Sequence, residues 1–130
     1  MFQRLIIAVL FAFTTTVESS AGADVGTFLS RCKSLQDVAA GKKKASIMDE
    51  RNLFWCAGHL SGILDGYRIG LLAKGDLNFA KSVSICPPEN STDAGLIIVV
   101  LREIEKQGIE ESQTLATAVT AILSVKWPCR

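Results

Sequence analysis

CAGHLSGILDGYRIG, residues 56–70, decides how this chain folds. Glycines stand at 58, 62, 66 and 70, and each costs a helix interior roughly 1 kcal/mol relative to alanine. Close packing has to offset that. At about 100° per residue the four glycines sweep one side of a helix together with Trp55, Ile69 and Ala73, forming a groove. Leu53, Cys56, Leu60, Ile63, Leu64, Tyr67 and Leu71 fall on a second side, an apolar stripe of the width expected for a core-facing helix. Arg68, Ser61 and Asp65 fill the remaining edge. A helix with one bulky and one close-approach face is expected to be central.

Working outward, Ser46 is placed to cap this helix, with Asp49 and Glu50 in its first turn, and Gly75 to end it, so the helix is expected over Ile47–Lys74. Upstream, Phe28, Leu29, Cys32 and Leu35 recur at helical intervals and predict a helix from Asp24 to Ala39. The lysine-rich segment Gly41 to Ser46 then reads as a solvated turn and makes the two helices an antiparallel hairpin. Downstream, residues 75–90 show no sustained period and contain Pro87-Pro88, an irregular connection with about one helical turn at Leu77 to Lys81. A third helix is predicted from Asn90 or Ser91 to Lys106. Its β-branched run would also suit a buried strand, but the cap before it and Gln107-Gly108 after it favour helix. A fourth, from near Ile109, has Glu110 and Glu111 in its first turn and Leu115, Ala118, Val119 and Ile122 on one face. The fold class is therefore all-α, a compact bundle of about four helices around one long one.

The chain opens with Arg4, an apolar run from Leu5 to Phe13 and the small-residue step Ala21-Gly22-Ala23, the pattern of a secretory signal peptide. The run is shorter than the roughly 20 residues that span a bilayer, so residues 1–23 are expected to be cleaved, leaving 24–130 as one domain in the periplasm. An even number of cysteines in an exported chain implies two disulfides, and the four at 32, 56, 86 and 129 admit three pairings. In the hairpin, Cys32 and Cys56 stand at comparable heights from the turn, which favours joining them and leaves Cys86 to Cys129.

Function classes fall away on chemistry. The chain has 14 Lys or Arg against 13 Asp or Glu; without Arg4 and Glu18 these become 13 and 12, a formal charge of +1. A nucleic-acid binder would show a basic face, and Lys42-Lys43-Lys44 is the only basic run. The cysteine gaps of 24, 30 and 43 residues, with one histidine, do not suit a metal site. With every cysteine paired there is no thiol nucleophile, and Ser61 lies on a different helical face from His59. Asp65 and Arg68 read as an exposed helical pair. The glycines recur inside a helix and do not form a phosphate-binding loop, and His59, Asp65 and Arg68 exclude a membrane dimerisation motif. No enzyme, cofactor, metal, nucleic-acid or membrane role is expected of the mature chain.

The signal peptide, Cys32, the segment Cys56-Ala57-Gly58 through Asp65-Gly66-Tyr67, Cys86-Pro87-Pro88, a helix and the terminal Trp127-Pro128-Cys129 together resemble the Rap/Tai immunity proteins of type VI secretion. The resemblance covers nearly the whole mature chain. It implies a small, helical, disulfide-bonded periplasmic protein, often dimeric, that binds and occludes a peptidoglycan amidase effector. On this reading Asp76, Leu77, Asn78 and Phe79, held by the Cys86 crosslink, are expected to contact the amidase, with the turn Gly108, Ile109, Glu110 and Glu111 as a second site. The groove of Gly58, Gly62, Gly66 and Gly70 is expected to form a homodimer interface. The alternative is a small periplasmic acid-stress chaperone, whose signature is client protection after acid-driven dissociation or unfolding.

Overall fold

The computed structural model describes residues 22–129, except the side chains of Leu77 and Ser82. Residues 1–21 of the predicted leader, which was expected over 1–23, lie outside them. Six helices follow in order: α1 (Val25–Cys32), α2 (Ser34–Ala39), α3 (Ile47–Ala73), α4 (Leu77–Val83), α5 (Asp93–Gln107) and α6 (Leu115–Lys126). Among the described residues there is no β-strand, only the isolated antiparallel bridges Asp24–Thr114 and Ile85–Pro128.

Local chemistry sets the boundaries of α3. The Ser46 hydroxyl accepts from the Asp49 backbone N–H, and the Asp49 carboxylate accepts from the Ser46 backbone N–H, a reciprocal capping box. At the other end Gly75 takes φ +70°, a left-handed conformation that a side chain would oppose. Thr92 caps α5 by accepting from the Gly95 N–H at 3.1 Å, and Gly108 ends it with φ +62°. The β-branched run is helical, as its flanking caps indicate.

The core forms where the stripe of α3 meets three other helices. Cys56 and Leu60 are fully buried against Val25, Phe28 and Cys32 of α1, Ile97, Val100 and Leu101 of α5, and Leu115, Ala118, Val119 and Leu123 of α6. Leu53, Ile63, Leu64 and Tyr67 pack partly buried on the edge of the same cluster. The crosslink Cys32–Cys56 runs through this core, with both residues 0% exposed. Cys86 pairs with Cys129. Both pairings are those the hairpin favoured.

Four expectations need correction. Helix one is broken at Lys33, where the Gln36 N–H bonds to the Lys33 carbonyl three residues back, so the chain tightens between α1 and α2. The connection after Gly75 carries α4, seven residues long, because the Asp76 carboxylate accepts from both the Asn78 and Phe79 backbone N–H groups and starts it. The third helix is capped at Thr92 and starts at Asp93, later than Asn90 or Ser91. The fourth begins at Leu115, so Glu110 and Glu111 lie in a turn. There the carbonyls of Glu111 and Gln113 accept from Gly26 and Val25, at 2.9 and 3.0 Å, and cap the start of α1.

Candidate functional site

The α4 arm hangs from the far end of α3. Asp76 is engaged as its cap, Asn78 is exposed, and Phe79 is 42% exposed with the Lys74 ammonium 5.0 Å from its ring centroid. The side chain of Leu77 lies outside the described residues. Tyr67 donates its hydroxyl proton to the Val83 carbonyl at 2.8 Å and ties α4 to α3. Past α4, Cys86 N–H donates to Trp127 O at 2.8 Å and Cys129 N–H to Ser84 O at 3.1 Å, so the disulfide closes a small antiparallel clasp. The arm is short and anchored at both ends.

The second predicted patch has a different character. Gly108 is the left-handed end of α5, and Ile109 is half-buried against the core. Glu110 and Glu111 are exposed. Gly26 packs closely here: a Cβ on it would stand 3.2 Å from the Glu111 Cβ, so Glu111 would have to yield by a few tenths of an ångström. This turn meets the N-terminal end of α6, whereas the Cys86–Cys129 clasp meets its C-terminal end. At 1.5 Å per residue α6 is about 18 Å long, so the two patches are not brought together.

The groove on α3 is open. Gly58, Gly62, Gly66 and Gly70 are exposed, and a Cβ built on any of them meets nothing within 4 Å. No helix among the described residues covers them. Phe54, Trp55, Gly58, His59, Gly62 and Ile63 line a shallow depression of about 540 Å³ beside them. Trp55 is held in a stack: the Arg31 guanidinium lies 4.8 Å from its ring centroid, and the His59 ring lies 3.9 Å away at 32°. His59 Nδ1–H donates to the Trp55 carbonyl at 3.0 Å, which fixes the tautomer. The histidine is a packed residue. Asp65 and Arg68 stand apart, with no ion pair to each other.

One polar centre escaped the sequence reading. Asp49 is 3% exposed, and its carboxylate accepts from the Ser34 hydroxyl, the Lys43 ammonium, and the Ser46 hydroxyl and N–H at 2.7 to 3.0 Å. The Ser34 hydrogen bond, then those of Ser46 and Lys43, hold the Asp49 pKa well below the ordinary carboxylate range. It fastens α2 to α3 and occupies Lys43, which is thus more than a solvated turn residue. The spacing Ser46-x-x-Asp49 was the visible signal; Ser34 could be found only from the folded hairpin. Phe54 and Ile47 were missed as members of the open face of α3, although their wheel positions flank Gly58.

All four cysteines are in disulfides, and the described residues contain no group of three or more His, Cys, Asp or Glu that could hold a metal. No helix among them is long and apolar enough to cross a membrane. The patches expected from the sequence lie at the surface of the fold: the α4 arm, the 108–111 turn and the open face of α3. The family model of the Rap1a immunity proteins matches residues 24–129, and the chain belongs to that family. A search of curated proteins and a search of solved structures each found no match.

Proposed function

We propose, with membership of the Rap1a immunity family as the premise, that this chain is a periplasmic immunity protein that binds and occludes a peptidoglycan amidase effector of a type VI secretion system. Family membership implies an inhibitor of a cognate effector rather than an enzyme, and that match carries the reading. Occlusion needs a surface that holds its shape, since a preorganised partner loses less freedom on binding. The α4 arm has that property. Its Asp76 cap, the Tyr67 hydrogen bond and the Cys86–Cys129 clasp fix a half-exposed aromatic, Phe79, beside a cation, Lys74. Aromatic anchors of this kind are enriched among binding hot spots. Asp76, Leu77, Asn78 and Phe79 form the main contact, with Gly108, Ile109, Glu110 and Glu111 as a second site toward the other end of α6. The chain acts as a homodimer through the face of Gly58, Gly62, Gly66 and Gly70.

The test is capture from periplasmic extract followed by titration. Recovery of a cell-wall amidase supports inhibition; recovery of many unrelated proteins points to the chaperone class and overturns it. For the arm, Asn78→Ala with Phe79→Ala is the clean variant, because Asp76→Ala also removes a helix cap. The pair should weaken amidase binding on the order of tenfold to a hundredfold with the thermal midpoint nearly unchanged. Unaltered binding would sink the arm as the contact.

A further inference from the structure

The open face of α3 carries large apolar side chains as well as glycines. Ile47, Phe54 and Ile69 are 72%, 78% and 67% exposed, and at about 100° per residue all three lie within about 40° of Gly58. Arg51 and Asp65 share the stripe. Neither has an ion-pair partner among the described residues. Ile47 and Ile69 are 22 residues apart, a row about 33 Å long. Large apolar side chains left this exposed on one helix face, interleaved with unpaired charges, suit a contact surface.

The row is symmetric about Gly58. Arg51 stands seven residues before it and Asp65 seven after; Phe54 stands four before and Gly62 four after; Ile47 stands eleven before and Ile69 eleven after. A second α3 laid antiparallel across Gly58 therefore sets each Arg51 against the partner's Asp65, and each Ile47 against the partner's Ile69. Each Phe54 comes to rest over the partner's Gly62, in the depression that Gly58 and Gly62 leave open. A parallel pairing would place Arg51 on Arg51, Asp65 on Asp65 and Phe54 on Phe54, with the glycines facing an unfilled gap. Charge and size both select the antiparallel arrangement. The glycines are then the seats for the other copy's bulk.

We propose that a second copy of this chain docks on this face, its α3 antiparallel to the first and crossing it at Gly58. The inference rests on the homodimer reading above and supplies its register. It is a self-complementary two-fold contact, so every favourable pair occurs twice.

Sedimentation of the mature chain at low salt tests it. Arg51→Glu alone, or Asp65→Arg alone, sets like charges together twice and should weaken self-association on the order of tenfold or more, while the two together should recover most of it. Gly62→Leu, which fills the seat of Phe54, should weaken it comparably. All three positions are exposed, and circular dichroism checks that each variant folds. A dimer indifferent to the single reversals, or not rescued by the pair, overturns the register and leaves the dimer standing. A wild-type chain that stays monomeric at hundreds of micromolar overturns both. Single variants that stay dimeric but lose the effector assign the face to the effector and overturn the proposal.

Discussion

The two disulfides close loops of similar entropic weight in very different surroundings. Cys32–Cys56 spans 24 residues and Cys86–Cys129 spans 43, and chain-entropy bookkeeping gives each about 3 to 4 kcal/mol. Cys32 and Cys56 are fully buried among α1, α3, α5 and α6, whereas Cys86 is exposed and Cys129 only half-buried. The first crosslink is part of the core. The second anchors an arm at the surface. Loop length treats them as near equals, so packing is what separates them.

Removing each in turn is the strongest way to break that comparison. Cys32→Ala with Cys56→Ala loses the crosslink and leaves a void in packed interior, and should cost about 4 to 5 kcal/mol in denaturant unfolding. Cys86→Ala with Cys129→Ala should cost about 2 to 4 kcal/mol, with a larger loss of amidase binding than the first pair causes at equal folded fraction. Equal stability costs would show that loop closure alone governs both. In the same core, Leu60→Ala should cost about 2 to 5 kcal/mol, comparable with the loss of a crosslink.

Acid sharpens the comparison further, because three carboxylates with depressed pKa lie in the α1–α3 hairpin and its α5–α6 cover. The Ser34 hydroxyl and its companions lower Asp49, the Thr27 backbone N–H lowers Asp24, and the Lys126 ammonium lowers Glu103. Each folded-state pKa sits below the unfolded value near 4. The stability they contribute is therefore complete above about pH 4 to 5 and is lost as pH falls through the folded values. Unfolding midpoints measured between pH 6 and pH 2 should drop on the acid side, and Asp49→Asn should flatten part of that slope. A pH-independent midpoint would dissociate these carboxylates from the fold.

Much of this architecture was legible in residue spacing. Ser46 and Gly75 bounded α3 correctly, and the equal heights of Cys32 and Cys56 on a hairpin identified their pairing, because helix rise is regular enough to measure along. The start of α6 was misread for a tertiary reason. Ile109-Glu110-Glu111 has the composition of a helical first turn, but the backbone of residues 111–113 is engaged by Gly26 and Val25, far away in sequence. The open face of α3 was anticipated from the glycines alone, while its apolar half depended on which side the other helices left bare. The two patches proposed as contacts come from the sequence, and the fold supplies their separation along α6.

That helix has a consequence for the timing of folding. The carbonyl of Ala23 accepts from Leu115 N–H, and Asp24 bridges Thr114, at its beginning; Ile85 bridges Pro128, and Cys86 joins Cys129, just past its end. One late segment clasps both the start of α1 and the middle of the chain. A polypeptide emerging from its N-terminal end can wind α1 and α3 and close Cys32–Cys56 early, but the remaining seams wait for its last residues to appear. Until then Cys86 is a thiol without its mate, and early closure of Cys32–Cys56 takes away the two other thiols with which it could mispair.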